Sequence, residues 1–386
     1  MGATYIQSGD ARLAFVSTNS ICQGEQVALL WPNVDSLGIE IAFACEAFKW
    51  TNNAKGNAGV ICVVVGLRNR STKSEAAMLI GENGVRKVGG INFYLVPANN
   101  LFVYRRTRSI SGLPRMVKGN QPTDGGNLIL SPTEKDNLVS KYPRSREFIK
   151  RYVGSRELIR GVNRWCVWIA ENDRDRAEQF PPIRERIQAV RESRLESKTA
   201  STRENTTPHR FIQIQHEPAD AIIIPKVSSE RRRYIPLGFA RGDTVISDLA
   251  FAVYGAEPWV FSIVSSKLHM IWVRTVGGRM KTDYRYSSAL CYNTFPIPTL
   301  NDEQRADLSE HVFNVLDTRE TYPERTLSDL YDSEKMPESL GEAHHQMDLA
   351  VERCCRKKPF SNDEERLEYL FKLYETMIEE EKTASA

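Results

Sequence analysis

The sequence has no cysteine pair at the CxxC spacing, and its seven cysteines (22, 45, 62, 166, 291, 354 and 355) are an odd number. Both facts disfavour a disulfide framework and a zinc ribbon, and a reducing cytoplasm is the expected compartment. No apolar run approaches the roughly 18 residues a membrane-spanning helix needs, so no membrane association is expected. Residues 1–10 lack the basic flank and apolar stretch of a secretory signal. There is no G-x-x-x-x-G-K-[ST] loop, no G-x-G-x-x-G turn after a strand, no H-E-x-x-H and no G-x-S-x-G. His344-His345 and Cys354-Cys355 are adjacent pairs, which on a helix point to different faces. They are poor metal ligands, a surface position is expected for the histidines, and no metal is expected. What is present is globular: 386 residues, 41% hydrophobic and 26% charged, enough for two or three domains.

The net charge of +3 hides an uneven distribution. Residues 1–100 carry 8 Lys+Arg against 7 Asp+Glu, residues 101–300 carry 33 against 20, and residues 301–386 carry 11 against 22. A basic middle between a neutral and an acidic end is the electrostatic footprint of a nucleic-acid binder, or simply a solvated surface of uneven charge.

The first hundred residues read as α/β. Segment 12–19 (RLAFVSTN) predicts a buried strand, 24–31 a helix stopped by Pro32, and 39–43 (IEIAF) and 59–67 (GVICVVVGL) two further strands. A polar loop over 49–57 separates those two. Strand, crossover helix and strand in this length resemble part of a doubly wound sheet. Three strands are too few to close one, so an upstream portion is expected. Farther on, 93–96, 221–224 and 259–264 predict strands, while 145–153 and 182–197 predict helices. Segment 193–208 reads as an exposed loop, and 294–298 (TFPIP) as an extended linker, because its two prolines bar a helix. The tail is helical: Leu367, Leu370, Phe371, Tyr374 and Ile378 form one apolar stripe, a core or partner face.

Cations cluster in four places in the middle: 105–108 (RRTR), Lys150-Arg151, 229–234 (SERRRY) and 279–285 (RMKTDYR). Phosphates call for Lys, Arg and small hydroxyls, and base edges for planar donors. On the 182–197 helix, Arg191, Arg194 and Lys198 share one face, while Ile183, Ile187 and Val190 share another. That pattern predicts inward packing with cations outward, to DNA or to solvent. Asp124-Gly125-Gly126-Asn127 predicts a turn.

Six stretches, in order and covering nearly the whole chain, resemble the MmeI-like DNA adenine methyltransferases, a family often fused to a restriction nuclease. They are 15–31 (FVSTNSICQGEQVALLW), 116–130 (MVKGNQPTDGGNLIL), 224–238 (IPKVSSERRRYIPLG), 269–285 (HMIWVRTVGGRMKTDYR), 292–298 (YNTFPIP) and 326–340 (TLSDLYDSEKMPESL). The resemblance implies an α/β fold. Residues 1–90 would be the C-terminal half of a Rossmann-like class I methyltransferase sheet, 91–298 a mixed α+β target-recognition domain and 299–386 an α-helical C-terminal region. In this family S-adenosylmethionine lies at the strand ends, and the adenine is flipped from double-stranded DNA. Its amino nitrogen attacks the methyl group beside an Asn-Pro-Pro-aromatic motif.

The sequence departs from the family there. Its one Pro-Pro is Pro181-Pro182, preceded by Phe180, and the glycine-rich cofactor turn is absent as well. The resemblance therefore implies that an upstream methyltransferase half supplies both, and no methyl transfer is expected from this chain alone. Carried over to this chain, Thr18, Asn19 and Ser20 are the expected cofactor-facing group at the end of the first strand. Phe48, with Trp50 in the loop between the last two strands, is the expected platform for the flipped base, unless both simply close the core. Arg231, Arg232, Arg233, Arg279, Lys281 and Arg285 are the expected DNA contacts, with Glu230 pairing locally. The rival readings are a non-catalytic DNA-binding specificity subunit and a truncated remnant.

Overall fold

The structure, a computed structural model, describes residues 1–7, 9–50, 60–71, 76–81, 84–280 and 282–385. After a short helix α1 (Gly2–Ile6), a five-stranded sheet is built from β1 (Leu13–Thr18), β2 (Ile39–Trp50), β3 (Val60–Asn69), β4 (Ala77–Gly81) and β5 (Gly84–Val88). Its order is β1-β3-β2-β4-β5. Both β1 and β2 run antiparallel to β3, so they are parallel to each other with β3 inserted between them. Helix α2 (Glu25–Asp35) makes the crossover from β1 to β2. Pro32 lies inside this helix and does not stop it. An interior proline lacks the N–H that would reach back one turn. The burial of Trp31 against Phe93, with ring centroids 4.6 Å apart, and the bond from Trp31 Nε1 to the Ile21 carbonyl at 2.6 Å hold the segment regardless.

The next segment, 91–96, is a buried turn and not a strand. Asn92 Oδ1 accepts from the Tyr94 and Val96 amides, and Leu95 takes a φ of +59°. Beyond it the chain enters a lobe with its own core of Leu128, Leu130, Phe148, Cys166, Ile183, Ile187, Val190 and Phe211. Segment 145–153, expected to be one helix, falls on a 3-10 turn (Pro143–Phe148) followed by a strand (Ile149–Val153). The helix Pro181–Leu195 forms as expected, and the polar stretch after it includes a further helical turn, Ala200–Arg203.

The chain then returns through the buried strand Ala221–Pro225 to the main core. Segment 259–264 belongs to a helix, Pro258–Ser265, not a strand. It is apolar on nearly every side, and such a segment shows no helical period. Proline at its first turn sets the helix. Segment 294–298 is extended as expected, but it is an internal strut and not an exposed linker. Thr294, Phe295 and Ile297 are buried, Trp272 Nε1 donates to Thr294 Oγ1 at 3.0 Å, and Ser111 Oγ donates to the Phe295 carbonyl at 2.8 Å.

The helices Asp302–Glu320, Glu338–Cys355 and Asp363–Ser385 complete the fold. The tail stripe is core: Leu367, Leu370, Phe371 and Tyr374 are buried, with Phe371 against Tyr94 and Trp272. One continuous apolar core thus runs from Ile6 to Tyr374. Among the described residues no helix is long and apolar enough to cross a membrane.

Candidate nucleic-acid interface

The carboxyl ends of the parallel strands β1 and β2 lie at one edge of the first sheet, where α/β sheets place ligands. Thr18 closes β1, and the following Asn19–Cys22 segment is a 3-10 turn leading to α2. Phe48 and Trp50 are not in a loop: β2 extends through Trp50, with two register shifts along its pairing to β3. Thr18 and Phe48 both face Cys62 of β3 across the ladder. Directly paired residues share a face of the sheet, so Thr18 and Phe48 stand on one row, two strand spacings or roughly 10 Å apart. Thr18 is exposed, Phe48 is half-buried, and the Trp50 ring lies 6.2 Å from that of Phe48 and is 48% exposed. The expected base platform and the expected cofactor-facing group therefore meet at one end of the sheet.

These residues alone do not make a complete cofactor site. The Thr18 and Ser20 hydroxyls bond each other at 2.7 Å, and the sequence offers no glycine-rich turn to cradle an adenosyl group. They line one wall.

A second element adjoins that edge. Gly24, at φ +60°, precedes α2, and a Cβ built on it would stand 3.5 Å from Gly278 Cα. Gly278–Met280 and Asp283–Arg285 form an antiparallel hairpin, to which Val227–Ser228 adds a third strand. The arginine turn 231–233 follows that strand directly. Arg232 N donates to the Ser229 carbonyl at 3.2 Å and Arg231 N to Ser229 Oγ at 3.4 Å.

The expected cations take different environments within this small sheet. Arg231, Arg233 and Arg285 are exposed and make no ion pair among the described residues. Arg279 is half-buried: it lies 4.6 Å over the Tyr284 ring, donates to the Thr282 carbonyl at 3.0 Å and pairs with Glu230 at 3.6 Å. Arg232 is half-buried, and burial lowers its pKa against the opposing influence of Asp283 and Asp332. Lys281 lies outside the described residues.

Several cations of the other basic stretches are engaged elsewhere. Arg105 pairs with Glu25 at 3.2 Å and Arg106 with Glu381. Lys150 Nζ approaches His216 Nε2 at 3.2 Å, and the His216 pKa is held down to about 4, first by burial and then by Lys150. Ile183, Ile187 and Val190 do pack inward, but Arg194 does not face out. It is 2% exposed and donates to the carbonyls of Pro122, Thr123, Thr207 and Arg210 and to Asn205 Oδ1. The Asp124–Asn127 stretch is the expected turn: Asp124 accepts from the Gly126 and Leu128 amides, and Gly125 and Gly126 take positive φ.

Two features were not visible in the sequence. Tyr284 is the ring beneath both Arg279 and Arg274. His344, expected at the surface, is fully buried and stacked on Tyr234 with centroids 4.2 Å apart; its Nε2 lies 2.7 Å from the Tyr331 hydroxyl. Beside it, Asp348 accepts from Tyr234 OH and from the Lys267 amide, both at 2.7 Å. Among the described residues no cluster could hold a metal ion.

Burial drives the Asp348 pKa up to about 7, against the two hydrogen bonds that lower it. The folded protein therefore binds this proton more tightly than the unfolded chain does. The stabilisation is present in full below about pH 4 and is lost as pH rises to about 7. Asp348→Asn is expected to remove this decline, worth on the order of 2–4 kcal/mol, so that the unfolding midpoints at pH 5 and pH 8 draw together. Thermal unfolding at the two pH values checks it; an unchanged gap between them would count against this assignment.

Comparison with known proteins gives a consistent result along the chain. The family described as the MmeI target recognition domain matches residues 97–299. The MmeI DNA-methyltransferase domain matches residues 1–80, and the MmeI C-terminal domain residues 300–380. DNA methyltransferase A of Bacillus subtilis (strain 168) is 43% identical over 379 residues, covering 98% of this chain and 43% of that protein. The structure of the Type IIL restriction-modification enzyme MmeI in complex with DNA is similar at a TM-score of 0.90 and 38% sequence identity. That likeness covers 98% of this chain and 51% of the other. The chain thus spans about half the length of these two relatives.

Proposed function

The chain belongs to the MmeI family, and we propose that it is the target-recognition and C-terminal part of a site-specific DNA adenine-N6 methyltransferase. Such an enzyme would serve a restriction-modification or phage-defence system. Its substrate is double-stranded DNA and its methyl donor S-adenosylmethionine. The Asn-Pro-Pro-aromatic motif and the glycine-rich turn are not in this sequence, so transfer requires a polypeptide that carries them.

The observation that carries the reading is the shared row of Thr18 and Phe48 at the sheet end, with the basic hairpin beside it. In this reading Thr18, Asn19 and Ser20 line one wall of the cofactor crevice. Phe48 stacks on the flipped adenine, a contact of about 1–3 kcal/mol where bases stack on aromatic side chains. Arg231, Arg233 and Arg285 hold phosphates or base edges along the duplex. Arg232 and Arg279 act nearer the protein, shaping the turn and the hairpin, and Lys281 completes the set of expected contacts.

Titration of the chain against a fluorescent DNA duplex between about 50 and 300 mM salt tests the reading. Affinity is expected to fall linearly on logarithmic axes, with a slope of about −3 or steeper for three or more phosphate contacts. A slope near zero, or no binding at the lowest salt, would overturn it. Methyl incorporation into the same duplex is expected only when a protein bearing the two absent motifs is added.

A further inference from the structure

The arginine turn 231–233 is anchored at one end by the strand Val227–Ser228, paired with Tyr284 and Arg285. Its other end runs straight into Tyr234, which is buried. The Tyr234 hydroxyl is 2.7 Å from Asp348 Oδ2 on the helix Glu338–Cys355, and its ring stacks on His344 of that same helix. Asp348 is in turn fixed by the Lys267 amide at 2.7 Å. Behind His344, Arg319 Nε donates to the Tyr331 hydroxyl at 2.8 Å, which leaves the phenolic proton for His344 Nε2. Arg319 Nη1 reaches the Leu237 carbonyl at 2.9 Å, on the far side of Tyr234. The backbone that presents Arg231 and Arg233 is thus tied to the C-terminal helices, while their side chains stay exposed.

Buried directional hydrogen bonds fix one geometry more sharply than apolar packing does, and Tyr234 and Asp348 are bonded in this way while His344 Nδ1 has no partner among the described residues. Arg274 Nη2 also donates to the Arg232 carbonyl at 3.4 Å. Asp348 and Tyr234 together line a cavity of about 660 Å³ that opens beside Arg233, so the anchor sits at a gap and not in solid packing. A turn bordering such a gap depends on its few directional ties.

We infer that Tyr234, held by Asp348, is a positioning residue for the arginine turn, through which the C-terminal helical region acts on DNA binding without touching DNA. The inference rests on the reading of Arg231 and Arg233 as DNA contacts. The guanidinium groups must reach the duplex together, and a freely pivoting turn presents them in many arrangements of which few bind. Fixing Tyr234 removes that freedom before binding, which raises affinity with no added contact.

The test is a double-mutant cycle on duplex affinity at fixed salt, with unfolding midpoints recorded for every variant. Tyr234→Phe keeps the stacked ring and loses only the hydroxyl. It is expected to weaken binding about 5- to 10-fold in the parent chain and to have almost no effect in an Arg231→Ala/Arg233→Ala background. Asp348→Ala is expected to match Tyr234→Phe. Asp348→Asn, whose amide can still accept from Lys267 N and donate to the tyrosine oxygen, is expected to stay within about 2-fold of the parent. If the arginine pair matters but Tyr234→Phe changes nothing, or weakens binding equally in both backgrounds, the positioning role is overturned. If the arginine pair itself proves irrelevant, the DNA-contact reading falls and this inference falls with it.

Discussion

Replacing Arg231, Arg233 and Arg285 together by alanine is expected to weaken duplex binding about 30- to 100-fold at low salt and to flatten the salt slope by about 2–3. Each lost phosphate contact removes about 0.9 from that slope. All three side chains are exposed and unpaired among the described residues, so removing them leaves no buried partner stranded. The unfolding midpoint should therefore stay put, since surface substitutions of this kind usually act within about 0.5 kcal/mol. Arg279→Ala is the informative contrast. That guanidinium already sits over Tyr284 and against Glu230 and the Thr282 carbonyl, so its loss should loosen the hairpin and leave the salt slope nearly unchanged. Fluorescence anisotropy over a salt series separates the two. An unchanged slope in the triple variant would remove this face from the DNA-binding surface. If one of the three reads a base, its single replacement will instead alter discrimination between duplex sequences more than the slope.

The largest loss of stability is expected from Arg194→Ala, about 3–5 kcal/mol. Arg194 is an internal strut whose guanidinium is shared among four carbonyls and one side-chain amide. Two of these carbonyls, of Pro122 and Thr123, lie just before the Asp124 turn, and the other two, of Thr207 and Arg210, lie past the end of the helix. Deleting the donor strands buried acceptors, and an acceptor left unpaired in the interior costs about 1–3 kcal/mol. Arg191→Ala, three residues earlier and on the exposed face, should cost no more than about 0.5 kcal/mol. Chemical unfolding of the two variants side by side makes the comparison. Equal midpoints would show that Arg194 contributes no more than a surface arginine does. Lysine at this position should rescue little, because a single ammonium group cannot span five acceptors set in a fork.

The contrast between Arg191 and Arg194 shows where sequence reading stops. Helical spacing correctly put Ile183, Ile187 and Val190 inward, but it set Arg191 and Arg194 together on an outward face, and Arg194 is buried. It could not see that carbonyls far along the chain converge on one of them. The strands β1 and β3 were legible because each is a short apolar run closed by polar residues, and the tail helix because its stripe is regular. The helix Pro258–Ser265 was not, since burial on every side erases the period that tells helix from strand. Segment 294–298 was read correctly as extended, yet proline content says nothing of whether an extended segment runs outside or through the core. For the candidate site, the strand end pointed to Thr18 and the family resemblance pointed to Phe48, each separately. Their meeting across Cys62 depends on β3 returning between two strands it follows in sequence, and pairing of that kind is not written in any local pattern. His344 was misplaced for a related reason: its partners, Tyr234 and Tyr331, belong to different elements.

The way the last helix closes the core also bears on how the molecule is made. Arg86 of β5 pairs with Glu364 across 278 residues, and Phe371 seals Tyr94. At about 5–20 residues per second, the first sheet leaves the ribosome on the order of 15–50 s before the helix that covers it. Contacts this distant in sequence also slow the search for the native state. During that interval Tyr94 and Leu95 lack their lid, and Trp272 joins them once it is made, so apolar surface of the kind chaperones shield stays open until the segment from Asp363 onward is synthesised.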